Sequence, residues 1–546
     1  MNKKYIGVLI ISFLLNPKFG ISQNVTSKKI DNLYQVKDQQ PGFSIAVFKG
    51  DKIVLEKQYG TANLDYNIPI NNETVFDIGS IAKQFTAAAI LLLENDGKLS
   101  IKEPAYKYID NLPRYDKGDP TIEHLLNQTS GIKEVDPYFY LTNLSFNDLL
   151  TQSRVTNIIL NIDELNFKPG EYFEYTNANY VLLANIIEKV SGESFSEFLQ
   201  NRIFSPLKME STIKKSTTRA IVKNRAIGYI EEDGEYYKTH LHSTIYNGDG
   251  QVLTTPRDMF RWHRGLKHAL IGTPEVWKKM HTKAKLNDGA KINYGLGVEF
   301  ETHNDYQAMG FDGEIIGGFV SKYLYFPDLD IAFFTAQNTF DNRFEEKFFQ
   351  LVDLYVPQKK IMRKKRADEK IVKLTNAQLE KYEGNYLFLG NEYENIRFNT
   401  VQEKEGKLIL LVSDGDKIGE LEPIGNHKFL MKNISFEFDG NKQFKAYAND
   451  NEKPWLFKKY EPHQYSEIDL KEFEGIYWNK SLQLVYEINL EHGKLTLRYG
   501  NGASKSEIQP LSKDNFSIPN YPIQFIRNGE GQVIKMKIMG LKFDKL

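Results

Sequence analysis

The last third of this chain carries one pattern twice, and nothing else in its 546 residues restricts the fold as strongly. Leu379-Glu380-Lys381-Tyr382-Glu383-Gly384-Asn385-Tyr386 returns as Leu470-Lys471-Glu472-Phe473-Glu474-Gly475-Ile476-Tyr477, and Gly406-Lys407-Leu408 returns as Gly493-Lys494-Leu495. Later landmarks keep the order: Leu421-Glu422-Pro423 leads to Phe429 and Ile508-Gln509-Pro510 to Phe516, six residues from Pro to Phe in both copies. Such self-similarity means one structural unit used twice. Within each copy apolar and polar residues alternate, as in Lys407 to Val412 and Lys494 to Arg498, and turn pairs such as Asp439-Gly440 and Asn528-Gly529 interrupt them. These are short antiparallel strands joined by hairpins. Each copy, over 375–460 and 465–546, is expected to form a small antiparallel β-barrel-like domain, because closure removes exposed strand edges. One larger barrel built from both copies is the alternative.

Ahead of the repeats, Gln358-Lys359-Lys360 and Arg363-Lys364-Lys365-Arg366 form a basic stretch without apolar periodicity. It reads as a linker over 361–374, or as a charged surface helix of the preceding domain. Residues 23–360 alternate helix-like and strand-like segments and are long enough to bury a core of their own. At the start, Lys3 and Lys4 precede an apolar run from Tyr5 to Leu15, followed by Gly20, Ile21 and Ser22. That run of 11 residues is too short to span a membrane as a helix, which takes about 20. It predicts a secretory signal peptide over 1–22, with a retained amphipathic anchor as the competing reading. The expected location is the periplasm or the extracellular space, with no membrane span after cleavage.

Composition excludes several classes of function. Lys plus Arg number 70 against 71 Asp plus Glu, so no overall basic field draws phosphate backbones, and nucleic acid is not an expected partner. The chain has no cysteine, which removes disulfides, thiolate metal sites and cysteine nucleophiles.

The clearest single element is Ser80 to Glu94, Ser-Ile-Ala-Lys-Gln-Phe-Thr-Ala-Ala-Ala-Ile-Leu-Leu-Leu-Glu, closed by Asn95-Asp96-Gly97. Its apolar residues face nearly all round, so this helix is expected to be buried with only its N-terminus open. Ser80 and Lys83 share a face in its first turn. A buried Lys there can lose its charge and take the serine proton, while backbone N–H groups favour a developing oxyanion. An N-terminal Ser beside a solvated Lys is the competing reading, since Ser-x-x-Lys also begins at Ser130, Ser205 and Ser211. Ser130 precedes Gly131 in a turn, Ser205 precedes Pro206, and Ser211 lies in a polar stretch, so context separates Ser80 from them. A second signal, Phe167-Lys168-Pro169-Gly170-Glu171-Tyr172-Phe173-Glu174-Tyr175-Thr176-Asn177, leads into a helix predicted from about Tyr180 to Val190. A Tyr near a Lys can shuttle a proton, and an Asn amide can hold a substrate carbonyl. Tyr-x-Asn alone is weak, for it recurs at Tyr393, Tyr447, Tyr477 and Tyr499 in the repeats.

Taken together, these segments resemble the serine β-lactamase and penicillin-binding-protein-like hydrolases, especially the branch of class C β-lactamases, D-alanyl-D-alanine carboxypeptidases, D-aminopeptidases and related esterases. The likeness covers roughly residues 30–350. It includes Phe76-Asp77-Ile78-Gly79-Ser80-Ile81-Ala82-Lys83, Thr121-Ile122-Glu123-His124-Leu125-Leu126 and Thr129-Ser130-Gly131-Ile132. Ser205-Pro206-Leu207-Lys208-Met209, the segment Gly248 to Pro256 and Tyr294-Gly295-Leu296-Gly297 follow in order. The resemblance implies an α/β catalytic domain of the β-lactamase/transpeptidase type: an antiparallel sheet with flanking helices, a helical region, and the site at their junction. It also implies Ser80 as nucleophile, Lys83 as base or proton relay, Tyr175 as proton shuttle and Asn177 as a substrate contact. D-aminopeptidases of the family resemble the layout with two β-barrels behind the catalytic domain.

The family's third motif, Lys-Thr-Gly or His-x-Gly on a sheet strand, falls at Phe311-Asp312-Gly313, followed by Glu314. Phe311 replaces the Lys or His that would meet a substrate carboxylate. Gly313 is kept, and the resemblance implies an oxyanion hole from the backbone N–H groups of Ser80 and Glu314. Asp312 and Glu314 beside the site would disfavour a free carboxylate and favour a neutral ester or amide, or a free amine; strand-end charges pointing to water are the competing reading. The expected function is an exported serine hydrolase that cleaves a peptide, amide or ester through an acyl-enzyme on Ser80. D-aminopeptidase, carboxypeptidase, esterase and β-lactamase-like activities stay open, and cell-wall fragments are candidate partners. The alternative is a catalytically silent relative that binds cell-wall peptides or a protein, with Phe311 as a first sign of decay. No metal or other cofactor is expected: His240, His242, His263 and His268 lack a ligand pattern with acidic support, and no glycine-rich phosphate loop opens a helix. The barrels would shape access to the site, bind a surface polymer, or serve only as stabilising partners.

Overall fold

The structure is a computed structural model that describes residues 27–359 and 372–546, apart from 38, 143, 145–147, 240–244, 316, 389–397, 412–416, 426, 432–433, 441, 448–453, 500–503 and 519–520. The predicted signal and most of the predicted linker lie outside the described residues.

The part ahead of the repeats is built on a six-stranded antiparallel sheet in the order Glu299–His303, Tyr306–Ile315, Phe319–Phe326, Ile331–Gln337, Phe43–Lys49, Lys52–Tyr59. Phe43–Lys49 pairs along its whole length with Ile331–Gln337, Phe43 opposite Gln337 and Lys49 opposite Ile331. Both are nearly continuous buried apolar runs, as expected of strands covered on two faces. The chain therefore leaves the sheet at one edge strand, builds the helical region, and returns at the opposite edge. Along Tyr306–Ile315 the strand period of two assigns the faces. Met309 and Phe311 pack into the helical region, while Ala308 packs with Leu324 and Phe348 on the far side, under the helix Phe344–Asp353.

In the helical region, a single 3₁₀ turn, Gly79–Ala82, runs into the helix Lys83–Asn95, every residue of which from Lys83 to Leu93 is buried. Ser80 thus sits in the tight turn ahead of the α-helix that the composition predicts. The helix stops at Gly97, which takes φ +70°, and Lys98 N–H bonds back to the Leu93 carbonyl at 3.0 Å. Against it packs Asn177–Ser191, capped by the Thr176 hydroxyl and ended by Gly192 at φ +77°. Because Thr176 is the cap, Tyr175 and Asn177 on either side of it are held by the same turn.

Each repeat closes as its own eight-stranded antiparallel barrel, the first from Gly384 to Tyr460 and the second from Gly475 to Lys545, which decides against one shared barrel. The repeated residues do matching work. Gly384 and Gly475 adopt φ of +144° and +145°, and a Cβ on either would meet the side chain of Lys459 or Lys545 at 2.3 or 2.9 Å. Tyr386 and Tyr477 donate their hydroxyls to the carbonyls of Tyr382 and Phe473, at 2.8 and 2.7 Å. Pro423 faces Phe429 across a strand pair, and Pro510 faces Phe516, each next to a bulge that accommodates a residue without an N–H.

The barrels dock differently. The first packs around a core of its own, whereas the core of the second runs on into the helical region. Tyr138 donates its hydroxyl to the Met539 carbonyl, and Tyr486 donates to that of Leu141. Ion pairs Lys542–Asp163 (2.9 Å) and Lys537–Glu164 (2.5 Å) flank them.

Candidate active site

Ser80, Lys83, Tyr175 and Asn177 meet where the Lys83–Asn95 helix begins. Lys83 Nζ donates to Ser80 Oγ (3.0 Å), Asn177 Oδ1 (2.8 Å) and the Asp249 carbonyl (2.9 Å). Tyr175 donates its hydroxyl to Ser80 Oγ at 2.8 Å. Asn177 is itself pinned: its Nδ2 donates to Asp136 Oδ2 at 3.3 Å and its backbone N–H to Glu134 Oε2 at 2.7 Å. A carboxylate on one side and an ammonium on the other fix which end of the amide points where.

The partners of Lys83 decide what it can do. The three hydrogens of its ammonium match three acceptors. Once a proton is lost, Asn177 Oδ1 and the Asp249 carbonyl can still only accept, so the lone pair falls to Ser80 Oγ, the one partner able to donate. Lys83 is fully buried, and desolvation pushes it down to about 8 against the pull of Asp249, Glu134, Asp136 and Glu299. Burial pushes Tyr175 well above its ordinary value, although its bond to Ser80 opposes this. Near neutral pH Tyr175 therefore holds its proton, and Lys83 is the group that can release one.

The strand Tyr306–Ile315 forms the opposite wall. Phe311, 4% exposed, lies against Tyr175 and Tyr294 with ring centroids 6.2 and 5.9 Å apart. A Cβ on Gly313 would lie 2.0 Å from the Ile78 carbonyl, which already accepts the Ser321 hydroxyl at 2.9 Å. A Cβ on Gly79 would lie 2.7 Å from Glu314 N, so glycine at both positions lets the strand reach the Ser80 turn. Asp312 and Glu314 do not share the Phe311 face. The pleat turns both outward, and Asp312 pairs with Lys322 at 2.7 Å. The acids that act on Lys83 are instead Asp249, Glu134, Asp136 and Glu299. Burial raises both aspartates, Asp136 to about 6 with the Asp249 charge as its second cause.

Those acids escape a reading of the sequence. Asp249 contributes a backbone carbonyl, which no side-chain pattern reports; its one signal is its place in Gly248-Asp249-Gly250. Glu134 and Asp136 follow Thr129-Ser130-Gly131-Ile132 closely, but only folding brings them to Asn177. The other Ser-x-x-Lys serines have structural partners: Ser130 donates to Asn179 Oδ1 at 2.7 Å, Ser205 accepts from Gln200 at 2.9 Å, and Ser211 N–H bonds Asp258 at 2.8 Å. Of the histidines, His263 pairs with Tyr323 (2.8 Å) and His268 with Asp51 (2.6 Å), while His240 and His242 lie outside the described residues.

The Beta-lactamase family profile matches residues 28–355. The chain belongs to the beta-lactamase family. The resemblance read from Ser80-Ile81-Ala82-Lys83 and the motifs after it is thereby borne out, as is the two-barrel layout. This beta-lactamase-family chain is 24% identical over 449 residues to Penicillin-binding protein 4* of Bacillus subtilis (strain 168), covering 78% of this chain and 97% of that protein. It is 27% identical over 260 residues to a D-aminopeptidase of Gluconobacter oxydans (strain 621H), covering 47% of this chain and 48% of that protein, about half the length of each. Among solved structures, the octameric penicillin-binding protein homologue from Pyrococcus abyssi shares the fold, with a TM-score of 0.54 at 21% identity over 88% of this chain and 98% of that one.

Proposed function

We propose that the chain is an exported serine hydrolase that cleaves an amide, peptide or ester through an acyl-enzyme on Ser80. The observation that carries this reading is the set of partners around Lys83, which leaves its lone pair only Ser80 Oγ to serve. Ser80 Oγ passes its proton to Lys83 Nζ as it attacks the substrate carbonyl carbon. The N–H groups of Ser80 and Glu314 meet the charge that develops on the carbonyl oxygen, donors of a kind worth about 2.7–4 kcal/mol each. The proton returns through the Tyr175 hydroxyl to the leaving nitrogen or oxygen as its bond to carbon breaks, which leaves an ester on Ser80. Water attacks that ester, its proton leaves by the same route, and a carboxylic acid departs as Ser80 regains its hydrogen.

The substrate we favour is an amide with a free amine nearby. Glu134, Asp136 and Asp249 make the surroundings of Asn177 acidic, and Phe311 supplies no cation for a carboxylate. Likeness to a D-aminopeptidase supports this choice, and likeness to penicillin-binding proteins supports cell-wall peptide fragments as its source. Export rests on the segment from Lys3 to Ser22. Phe311 also favours a second reading, a silent relative that binds such peptides without cleaving them.

A fluorescent acyl-phosphonate separates the two. The hydrolase reading expects labelling of the wild type that disappears in Ser80→Ala; a folded wild type that stays unlabelled is a binding protein. Turnover of D-amino-acid amides, short acyl esters and a chromogenic cephalosporin then ranks substrates, and fast cephalosporin turnover would overturn the substrate assignment.

A further inference from the structure

The second barrel meets the helical region through one hairpin tip. Its strands Val533–Ile538 and Leu541–Lys545 pair up to Ile538 opposite Leu541, so Met539 and Gly540 are the whole loop, at φ +51° and +91°. Two successive positive φ angles make the hairpin turn that favours Asn-Gly or Asp-Gly. A Met at the first of them goes against the turn, because a bulky side chain at positive φ is uncommon. That Met is 3% exposed and belongs to the core that the barrel shares with the helical region. The loop is thus buried at a domain contact, where most hairpin tips face water.

The tip touches both ends of one short stretch, Lys133 to Tyr138. At one end Tyr138 donates its hydroxyl to the Met539 carbonyl. At the other, a Cβ on Gly540 would lie 3.2 Å from Lys133 Nζ and 3.4 Å from its Cε, so the loop comes right up to the buried end of that lysine. Glu164 joins the two sides, 2.5 Å from Lys537 of the barrel and 3.9 Å from Lys133. Between these contacts the stretch carries Glu134 and Asp136, which accept from the backbone N–H and the Nδ2 of Asn177 at 2.7 and 3.3 Å. The Lys133 carbonyl accepts the Thr176 hydroxyl at 3.4 Å. Asn177 Oδ1 in turn lies 2.8 Å from Lys83 Nζ, so an unbroken series of contacts runs from the barrel to the buried amine.

We propose that Met539 and Gly540 are remote positioning residues of the catalytic cluster: the docked tip fixes the stretch from Lys133 to Tyr138, and that stretch fixes Asn177 against Lys83. The effect on turnover rests on the hydrolase reading, whereas the effect on Asn177 does not. Asn177 opens its helix, so its N–H has no partner within that helix and depends on Glu134. Loosening the tip frees Glu134 and Asp136 to leave Asn177, while Ser80 and Lys83, one turn apart, stay together. A displacement of about 1 Å in such a cluster is enough to slow the reaction.

The test is hydrogen exchange on the full chain, read to single residues by mass spectrometry, with two variants on the barrel side of the contact. Met539→Asn suits the turn but removes the apolar side chain, and Lys537→Glu sets a like charge against Glu164. In both we expect the Asn177 N–H to exchange about tenfold faster while the helix Lys83–Asn95 keeps its protection. On an amide substrate kcat should fall about tenfold with a smaller change in KM. Wild-type exchange at Asn177 together with wild-type kcat in both variants overturns the proposal. A uniform rise in exchange over residues 27–359 overturns it too, since the tip then adds only stability. If one variant does not fold, the other decides. A wild type that an acyl-phosphonate leaves unlabelled removes the hydrolase reading instead, and exchange at Asn177 alone then decides the positioning role.

Discussion

The side-chain oxygen of Asn177 lies 2.8 Å from Lys83 Nζ, and it can accept a hydrogen bond but never donate one. Neutral Lys83 therefore turns its lone pair to Ser80. Burial pushes Lys83 down to about 8, so kcat/KM on an amide substrate should climb about tenfold per pH unit below that value and level off above it. A pH–rate profile that stays flat through this region would remove Lys83 as the base.

Asp136 reaches Lys83 through Asn177 and by its charge. Its carboxylate favours the ammonium, so Asp136→Asn makes the ammonium less favourable and moves the rising limb to lower pH, by up to about one unit. Asn still offers an oxygen to Asn177 Nδ2, which keeps the geometry. The same profile measured on the variant shows the shift, and a move to higher pH contradicts the electrostatic account.

Gly313→Ala drives a Cβ into the Ile78 carbonyl, 2.0 Å away, and pushes the strand from the Ser80 turn. With the Glu314 N–H displaced, kcat should fall about 10²–10³-fold with a smaller change in KM. Glu314→Gln alters only an exposed side chain and should leave kcat nearly unchanged. Steady-state kinetics on both variants tests whether the backbone or the carboxylate matters.

Phe311→His restores a polar side chain to the wall facing Tyr175. The ratio of kcat/KM for a substrate with a free carboxylate over the matching amide should rise roughly tenfold, about 1.4 kcal/mol. Phe311→Ala leaves a hole where a ring is 4% exposed, and chemical denaturation should register a loss of about 3–5 kcal/mol.

The separate core of the first barrel and the shared core of the second predict two calorimetric transitions. Deleting 465–546 strips the cover from Tyr138 and Leu141 and should lower the transition of the catalytic domain. Deleting 375–460 with a linker in its place should remove only the other transition. Equal effects of both deletions would refute the asymmetry.

What the sequence determined by itself lies within short spans of chain. The repeats announce two barrels because their landmarks act locally: Gly384 and Gly475 at strand starts, and Pro and Phe six residues apart as partners across a hairpin. Ser80 and Lys83 lie one helical turn apart, so their meeting needed no tertiary information. Only the tertiary structure decided the rest. Asn177 comes to Lys83 from 94 residues away, and the third acceptor is a main-chain carbonyl at Asp249. Asp312 and Glu314 stand beside Phe311 in sequence, yet the pleat turns them to the other face and leaves the acidity of the site to Glu134, Asp136, Asp249 and Glu299. Local spacing specifies which groups one turn or strand presents; which groups surround a buried amine depends on how separate elements pack, and that is settled only when the core closes.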